Sequence, residues 1–339
     1  MQKAQRLGYV DIAKGFAIVG MVYGHTYSTV QDNVLMIWIY SFHMPLFFLT
    51  TGFLYRIKAN EGNELRFSWK NKLNTLLLPY FFWNILYQLF VAILAILGGA
   101  PIKDTILNKL NLVLTLEGSA MWFLPAMFLA SMFFLISVHR RFINMLLMLI
   151  LGGIGIFASG EGPLTNALLR SFIGAVFISF GFYFCRLFNK KIQSWKNVVV
   201  FIISLFTVFI NGSVSIASRD FNNPVLYFFN GCVGTYIVYQ VAINMRENYV
   251  STLLQLWGQN SIKILCLHGF VAQIVRLLDY RLFNNRLPQL GFWEGIVFTS
   301  IIMVILTVTM PFIIRFFNWS FGIKNMLFDK NHTRRLLGE

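Results

Sequence analysis

Hydrophobic residues form long continuous runs along almost the whole chain, and short polar stretches separate these runs. A helix that crosses a membrane needs about 20 mainly apolar residues, and ten of the runs approach this length. They lie at residues 8–28, 34–55, 73–98, 119–138, 142–159, 164–185, 197–213, 225–245, 252–275 and 291–315. Strands of a membrane barrel would instead alternate between apolar and polar positions. The pattern therefore predicts an all-α fold, a polytopic bundle of about ten transmembrane helices.

Composition supports a chain that lies mostly in the bilayer. Hydrophobic residues make up 57% of the sequence and charged residues only 12%, compared with about 25% in soluble domains. The apolar runs leave no room for a separate soluble domain, so we expect a single integral membrane domain over residues 1–339. The first residues, MQKAQRLGYVDIAKGF, contain no small-residue cleavage site, so we expect the first run to be a retained helix.

The net charge of +15 is distributed in a way that indicates topology. The 28 Lys and Arg residues fall between apolar runs and form no single basic stripe, which argues against nucleic-acid binding. Most of them lie on one side if the N-terminus is cytoplasmic, so the positive-inside rule predicts that both termini are cytoplasmic. Cys185, Cys232 and Cys266 lie inside apolar runs without CxxC spacing, and we expect neither a disulfide framework nor a metal site.

The first run contains charged residues that a membrane helix should avoid. Asp11 and Lys14 are three residues apart and therefore neighbours on one helix face, where they can neutralise each other. His25 follows Lys14 by eleven residues, about three turns, so both point in one direction about 16 Å apart. This face would link the two sides of the membrane. In the alternative interpretation, Lys14 snorkels to the cytoplasmic interface and His25 only caps the outer end of the helix.

The second run contains FHMPLFF, in which His43 precedes Pro45. Proline leaves one helix carbonyl without its usual partner, and membranes tolerate this where a cavity or a neighbouring helix satisfies the carbonyl. Because the first two runs are neighbours in sequence, we expect them to pack together. The pattern therefore indicates a polar pocket near His43, although a purely structural histidine fits equally well.

Further polar positions interrupt two later runs. The ninth run reads LWGQNSIKILCLHGF, and Ser261 and His268 within it are seven residues apart and share a face. Lys263 points elsewhere, and we expect it to snorkel to the cytoplasmic interface. Trp122 begins the fourth run, where an ordinary interfacial role is the commonest one for a membrane tryptophan.

Three membrane histidines with few acids argue against a proton pump built on carboxylates. Their spacing also lacks the HExxH pattern of a metal site, so we expect no metal. A histidine pKa near 6.5 suits the removal of a proton from a hydroxyl at neutral pH. General-base catalysis is the role that these residues favour.

With these motifs the sequence resembles the membrane-bound acyltransferase 3 family over nearly the whole chain. The family pattern of a basic residue, ten residues and a histidine is met by Lys14 and His25. FHMPLFFLTTGFLY, the WFLP at Trp122 and the GxxSxxxxxxH of the ninth run follow in order. DIAKGFAIVGMVYGH is most similar to sugar O-acetylases, including fucose 4-O-acetylase-like proteins. Lys263 departs from the family, which has tyrosine or an aliphatic residue there.

The resemblance implies a function and a set of roles. It implies a membrane-bound O-acyltransferase of the bacterial inner membrane that transfers an acetyl group from cytoplasmic acetyl-CoA to a polysaccharide sugar, either at the cell surface or linked to a lipid. We expect His25 to act as general base or acyl carrier, with Lys14 and Asp11 on the donor path. The remaining candidates would bind donor or acceptor: His43, Trp122, Ser261 and His268.

Two other classes of protein remain open from the sequence. In a transporter or flippase of a lipid-linked sugar, the same polar face would line the translocation path and Lys14 would bind a phosphate. In a structural or sensory subunit, substitution of the histidines would leave surface glycans unchanged. The expected partners are acyl-CoA, a glycan or lipid-linked sugar and membrane lipids, with no nucleic acid.

Overall fold

The computed structural model describes residues 7–26, 34–117, 119–160, 162–191, 194–283, 287–290 and 292–323. Within these ranges nearly all of the chain is helical, and the only β-pairing is an isolated bridge between Ser215 and Asp220. The predicted all-α fold is confirmed. Internal helical hydrogen bonds satisfy the backbone, as an apolar chain in a bilayer requires.

The described part of the chain contains fourteen α-helices and several short helical turns. The helices are α1 (Gly8–Thr26), α2 (Val34–Asn60), α3 (Trp69–Lys72), α4 (Leu78–Leu97), α5 (Ile102–Leu114), α6 (Phe123–Ser137), α7 (Arg141–Phe157), α8 (Pro163–Tyr183), α9 (Cys185–Asn189), α10 (Ser194–Asn211), α11 (Pro224–Asn244), α12 (Tyr249–Gln259), α13 (Ser261–Phe283) and α14 (Phe292–Phe316). A π-helical turn, Leu73–Leu77, joins α3 to α4. Short 3-10 turns lie at Ala120–Trp122, Leu287–Leu290 and Asn318–Phe321.

Seven of the described helical segments are long and apolar enough to cross a membrane. They are α2, the continuous stretch from α3 to α4, the stretch from Ala120 through α6, and helices α8, α11, α13 and α14. Helices α7 and α10 are apolar but shorter, and α1 carries two charged residues. The chain is thus a multi-pass membrane protein, while the count of ten spans and the cytoplasmic termini stay predictions.

The ninth predicted run, residues 252–275, is wrong as a single helix. Helix α12 ends at Gln259 and α13 begins at Ser261, so the chain breaks at Asn260. The Asn260 side chain donates to the Leu256 carbonyl at 2.9 Å. Local side-chain bonding of this kind competes with helix continuation, which hydropathy alone does not detect.

Helix α5 was not predicted, because the search for apolar runs of membrane length passes over short amphipathic helices. Its Val113 carbonyl accepts a hydrogen bond from the Tyr80 hydroxyl of α4 at 2.8 Å, so a buried contact holds the two helices together.

The chain forms two compact units. Unit 1 comprises Met1–Arg66, Leu129–Glu161 and Leu168–Ser261, and unit 2 comprises Phe67–Phe128, Gly162–Ala167 and Ile262–Glu339. Unit 1 therefore contains α1, α2, α7 and α9 to α12, together with most of α8. Unit 2 contains α4, α5, α14 and all of α13 after its first residue. The prediction of a single functional domain stays a prediction.

In unit 1, α1 and α12 approach until their backbones touch. A Cβ atom at Gly258 would overlap the Asp11 carbonyl oxygen, and one at Gly15 would overlap the Leu254 carbonyl oxygen. Small residues permit such close approach in membrane proteins, where packing replaces the hydrophobic driving force. Gly258, which the sequence offered only as part of a motif, therefore supports the turn of α1 that contains Asp11.

Helices α2 and α8 of unit 1 also approach closely through glycines. A Cβ atom at Gly52 would overlap the Ile178 carbonyl oxygen, and one at Gly181 would overlap the Leu49 carbonyl oxygen. The two backbones are thus in direct contact.

In unit 2, aromatic residues join α4 to the turn after α14. The Trp83 ring stacks on the Phe321 ring with centroids 5.5 Å apart, and its Nε1 donates to the Ser320 hydroxyl at 3.1 Å. Tyr87 of α4 packs edge to face against Phe270 of α13, with centroids 5.2 Å apart. These contacts fix α13, which carries one of the candidate histidines.

We predict that Gly258→Ala destabilises the protein by about 1–3 kcal/mol, because the methyl group would force α1 and α12 apart at Asp11. Thermal unfolding of the purified protein in detergent measures the change. Gly153→Ala in α7 is the matched control, because a Cβ there meets nothing within 4 Å. Equal stability of the two variants would contradict the close packing.

Candidate functional site

The charged pair of α1 forms as the spacing predicts. The Lys14 Nζ lies 2.7 Å from the Asp11 Oδ1. Asp11 is only 3% exposed, while the Lys14 side chain keeps 20% of its surface accessible. A buried carboxylate is costly unless it is paired, and the Lys14 ammonium group supplies that pair. Helix α1 continues without a break to His25, which leaves about 16 Å along the helix axis between Lys14 and His25.

The surroundings of this pair include a tyrosine that the sequence analysis missed. Tyr239 of α11 is almost fully buried, and its hydroxyl lies 2.9 Å from the Thr50 hydroxyl of α2. It also interacts electrostatically with Asp11. Its ring meets the Tyr9 ring edge to face, with centroids 6.1 Å apart. Three helices thus contribute polar groups to this end of unit 1, here called the Asp11 end. A lone tyrosine in an apolar run gives no sequence signal for such a contact.

His25 and His43 meet at the opposite end of unit 1, here called the His25 end. His25 lies in the last turn of α1 and is exposed, whereas His43 is only 6% exposed. The two imidazoles are close enough for their charges to interact. Helices α1 and α2 are held together here because the Tyr40 hydroxyl donates to the Gly24 carbonyl at 3.1 Å. The expected packing of the first two runs is confirmed.

The hydrogen bond of His43 determines which of its ring nitrogens donates and which one can accept a proton. Its Nδ1 lies 2.9 Å from the Ile39 carbonyl oxygen. A carbonyl only accepts, so Nδ1 donates, and in the neutral ring Nε2 keeps its lone pair. The Tyr40 ring packs edge to face on the imidazole with centroids 4.9 Å apart, which fixes its orientation. Helix α2 runs on through Pro45 without a break.

Trp122 lies in unit 2, in the 3-10 turn before α6. It is 9% exposed, which is more buried than an ordinary interfacial tryptophan. The preceding Ser119 donates to the Asn84 Oδ1 at 3.2 Å, and Gln88 donates to the same oxygen at 3.4 Å. Asn84 and Gln88 are buried amides one turn apart on α4. Sequence reasoning missed them, although their spacing of four residues in an apolar run was a usable signal.

The third candidate histidine, His268, also lies in unit 2. It is buried in α13, and its Nδ1 lies 2.8 Å from the Leu265 carbonyl oxygen, so its Nε2 is the acceptor when the ring is neutral. Ser261 is the first residue of α13 and the last residue of unit 1. The predicted helical relation of the two residues holds, because both belong to α13.

The expectation that Lys263 snorkels is wrong. This residue is 7% exposed, and its Nζ lies 5.6 Å from the centroid of the Phe321 ring. The face of an aromatic ring attracts a cation, and a side chain bent over such a ring stays inside unit 2. Hydropathy could not predict this, because Phe321 lies 58 residues further along the chain in a separate turn.

The structure therefore divides the predicted site between the two units. Unit 1 contains the Asp11–Lys14 pair at one end, His25 and His43 at the other end, and Ser261 as its last residue. Unit 2 contains Trp122 and His268. Among the described residues, no three His, Cys, Asp or Glu side chains are grouped so that they could hold a metal ion. That no metal takes part stays a prediction.

The fold and this arrangement define a class of protein: a multi-pass helical membrane protein with a charged pair and two neighbouring histidines in its first two helices. A family model described as an acyltransferase domain matches residues 7–315, so the chain belongs to the acyltransferase 3 family. Neither a curated protein nor a solved structure gives a significant match. The resemblance seen in the motifs is confirmed, and the protein is an acyltransferase. The roles of individual residues stay predictions.

We predict that Lys14→Gln destabilises the protein by about 3 kcal/mol, because it removes the ammonium group from a buried carboxylate. The double variant with Asp11→Asn should regain most of this loss, since two neutral amides need no counter-charge. A double-mutant cycle from unfolding in detergent measures the coupling. Simple additivity of the two substitutions would show that the pair is not coupled.

Proposed function

We propose that this acyltransferase moves an acetyl group from cytoplasmic acetyl-CoA to a hydroxyl of a polysaccharide sugar, either at the cell surface or linked to a lipid. One observation carries the proposal. A single helix, α1, holds a lysine paired with a buried carboxylate near its start and a histidine beside a second histidine at its end. A reaction between a donor and an acceptor on opposite membrane faces needs such a connection.

The Asp11 end of unit 1 is the proposed donor side. Lys14 is partly accessible and oriented by Asp11, which suits a cation that contacts the phosphates or the pantetheine arm of acetyl-CoA. The thioester would then reach His25 along about 16 Å of α1. This assignment includes both termini in the cytoplasm, ten spans and a bacterial inner membrane.

At the His25 end, an imidazole supplies the chemistry. In direct transfer, a neutral His25 takes the proton of the sugar hydroxyl, the oxygen attacks the thioester carbon, and the CoA thiolate leaves and is protonated. In covalent catalysis, an imidazole nitrogen attacks the thioester carbon first and the CoA thiolate leaves and is protonated. The sugar hydroxyl then attacks the acyl-imidazole, the imidazole leaves, and the hydroxyl proton passes to a base. His43 suits an assisting role because its Nε2 has a lone pair in the neutral ring.

The remaining candidates would position the substrates. An aromatic face suits carbohydrate stacking, which favours Trp122 for the sugar, and Ser261 and His268 supply polar groups for donor or acceptor. The buried amides of Asn84 and Gln88 are added to this set because Ser119 connects them to the turn of Trp122.

We predict that His25→Ala abolishes acetyl transfer without changing expression or unfolding temperature, because the exposed imidazole contributes little to packing. The assay incubates purified protein with labelled acetyl-CoA and a glycan acceptor and measures the label on the glycan. His139→Ala, at an exposed histidine in the turn after α6, is the control and should retain activity. Full activity of His25→Ala would contradict the mechanism.

The same assay separates the competing functions. Label that stays on the protein when no acceptor is present, and that is lost in His25→Ala, indicates a covalent intermediate. Movement of a lipid-linked sugar across vesicles without any use of acetyl-CoA would identify a transporter and contradict the proposed function.

A further inference from the structure

Two exposed arginines of unit 1 lie over neighbouring aromatic rings at the end of α8. The guanidinium carbon of Arg56, on α2, lies 5.3 Å from the centroid of the Phe182 ring. The guanidinium carbon of Arg141, the first residue of α7, lies 5.5 Å from the centroid of the Tyr183 ring. The two rings meet edge to face, with centroids 5.1 Å apart. Ring faces attract cations, so three helices bring two positive charges to one surface of unit 1.

The packing of α2 on α8 determines the position of Arg56. A Cβ atom at Gly52 would lie 2.8 Å from the backbone nitrogen of Phe182, so the two backbones touch at this level. Arg56 follows Gly52 by four residues, about one turn, and therefore lies on the same face of α2. The place of Arg56 beside Phe182 thus follows from the contact between the two helix backbones.

A buried asparagine fixes the ring that lies under Arg141. Asn144 follows Arg141 by three residues in α7 and is completely buried. Its Nδ2 donates to the Phe134 carbonyl and to the Ser137 hydroxyl, both at 2.9 Å, and its Oδ1 accepts from the Tyr183 hydroxyl at 3.1 Å. A satisfied buried network of this kind is rigid. Helix α7 therefore positions both the arginine and the ring that it covers.

Neither of these cations has a protein carboxylate as its partner. Among the described residues, no carboxylate forms an ion pair with Arg56 or with Arg141. Both arginines also interact electrostatically with Tyr183. Positive charges near one another repel, and an anion bound to both of them offsets this repulsion. The charges at the end of α8 therefore favour an anionic ligand.

The surface next to Arg141 indicates what kind of anion fits. Phe142, Leu146 and Leu149 are exposed and follow one another along α7 at spacings of four and three residues. Such spacing places them on one face, so an apolar stripe begins beside Arg141. In a membrane, acyl chains cover an apolar stripe, and an arginine at its end lies at the level of the lipid headgroups. A soluble anion would leave the stripe uncovered, which favours a lipid.

We propose that Arg56 and Arg141 bind the phosphate headgroup of an anionic phospholipid whose acyl chains lie along α7. Guanidinium groups bind phosphate oxygens through paired hydrogen bonds, and basic pockets between membrane helices bind anionic headgroups. Arg56 lies about 9 Å beyond Thr50 along α2, so the site belongs to the Asp11 end of unit 1. That the lipid comes from the cytoplasmic leaflet rests on the proposed function, whereas the binding itself does not.

The test measures lipid binding by the purified full chain in detergent, with phosphatidylglycerol as the probe and native mass spectrometry as the readout. We expect the wild type to bind phosphatidylglycerol more tightly than phosphatidylcholine, which has no net charge. Arg56→Gln and Arg141→Gln should each weaken phosphatidylglycerol binding about fivefold, because each removes one cation from the anionic headgroup. Arg246→Gln is the charge-matched control and should bind as the wild type does, since this exposed arginine follows α11 at the same end of unit 1.

Two further arms keep the result interpretable. Arg56→Lys and Arg141→Lys keep the charge but lose the paired hydrogen bonds. If the glutamine variants fail to fold, the lysine variants carry the test: weaker binding than in the wild type supports the site, and unchanged binding overturns it. Adenosine 3′,5′-bisphosphate is the probe for a soluble nucleotide. If its binding depends on both arginines while that of phosphatidylglycerol does not, the lipid site is wrong.

Two other outcomes would also overturn the site. One is equal binding of phosphatidylglycerol by the wild type and by both glutamine variants. The other is a wild type that binds phosphatidylcholine as tightly as phosphatidylglycerol.

The outcome is separable from that of the proposed function. His25→Ala should bind phosphatidylglycerol normally while it loses acetyl transfer. If the wild type transfers no acetyl group but its phosphatidylglycerol binding depends on both arginines, the proposed function fails and the lipid site remains.

Discussion

The contact between the backbones of α1 and α12 is the constraint on which the candidate site depends. Gly258 lies against the Asp11 carbonyl, so α12 fixes the turn of α1 that holds the charged pair. Lys14 pairs with the buried Asp11 carboxylate, and Tyr239 interacts with it electrostatically. Because α1 is one continuous helix, the position of its Asp11 turn also determines where His25 lies at its other end. In a bilayer, where apolar packing supplies no net hydrophobic gain, such backbone contacts specify which helices meet.

The two ends of unit 1 differ in chemistry in a way that suits a transfer reaction. The Asp11 end combines a paired lysine with tyrosine and threonine hydroxyls. The His25 end combines the imidazoles of His25 and His43. A neutral imidazole can accept a proton from a hydroxyl. The two ends of α1 therefore carry different polar groups.

Unit 2 shows how buried polar groups are tolerated inside an apolar bundle. Lys263 is held over the Phe321 ring, and the buried amides of Asn84 and Gln88 share hydrogen bonds. The Asn84 oxygen accepts two hydrogen bonds, which offsets part of the cost of burying its amide, whereas its Nδ2 has no hydrogen-bond partner.

The sequence alone determined the helical membrane class, the pairing of Asp11 with Lys14, the packing of the first two runs and the family. These features follow from local rules: runs of apolar residues, spacing of three or four along a helix, and hairpin neighbours. The tertiary structure alone decided that the ninth run breaks at Asn260, that Lys263 turns inward, and that Gly258 touches Asp11. It also brought Arg219 to the carbonyls of Gly155 and Ala158, which lie 64 and 61 residues earlier in the chain. The physical reason is that local periodicity fixes which face a side chain occupies, whereas contacts between distant segments depend on how closely the backbones can approach.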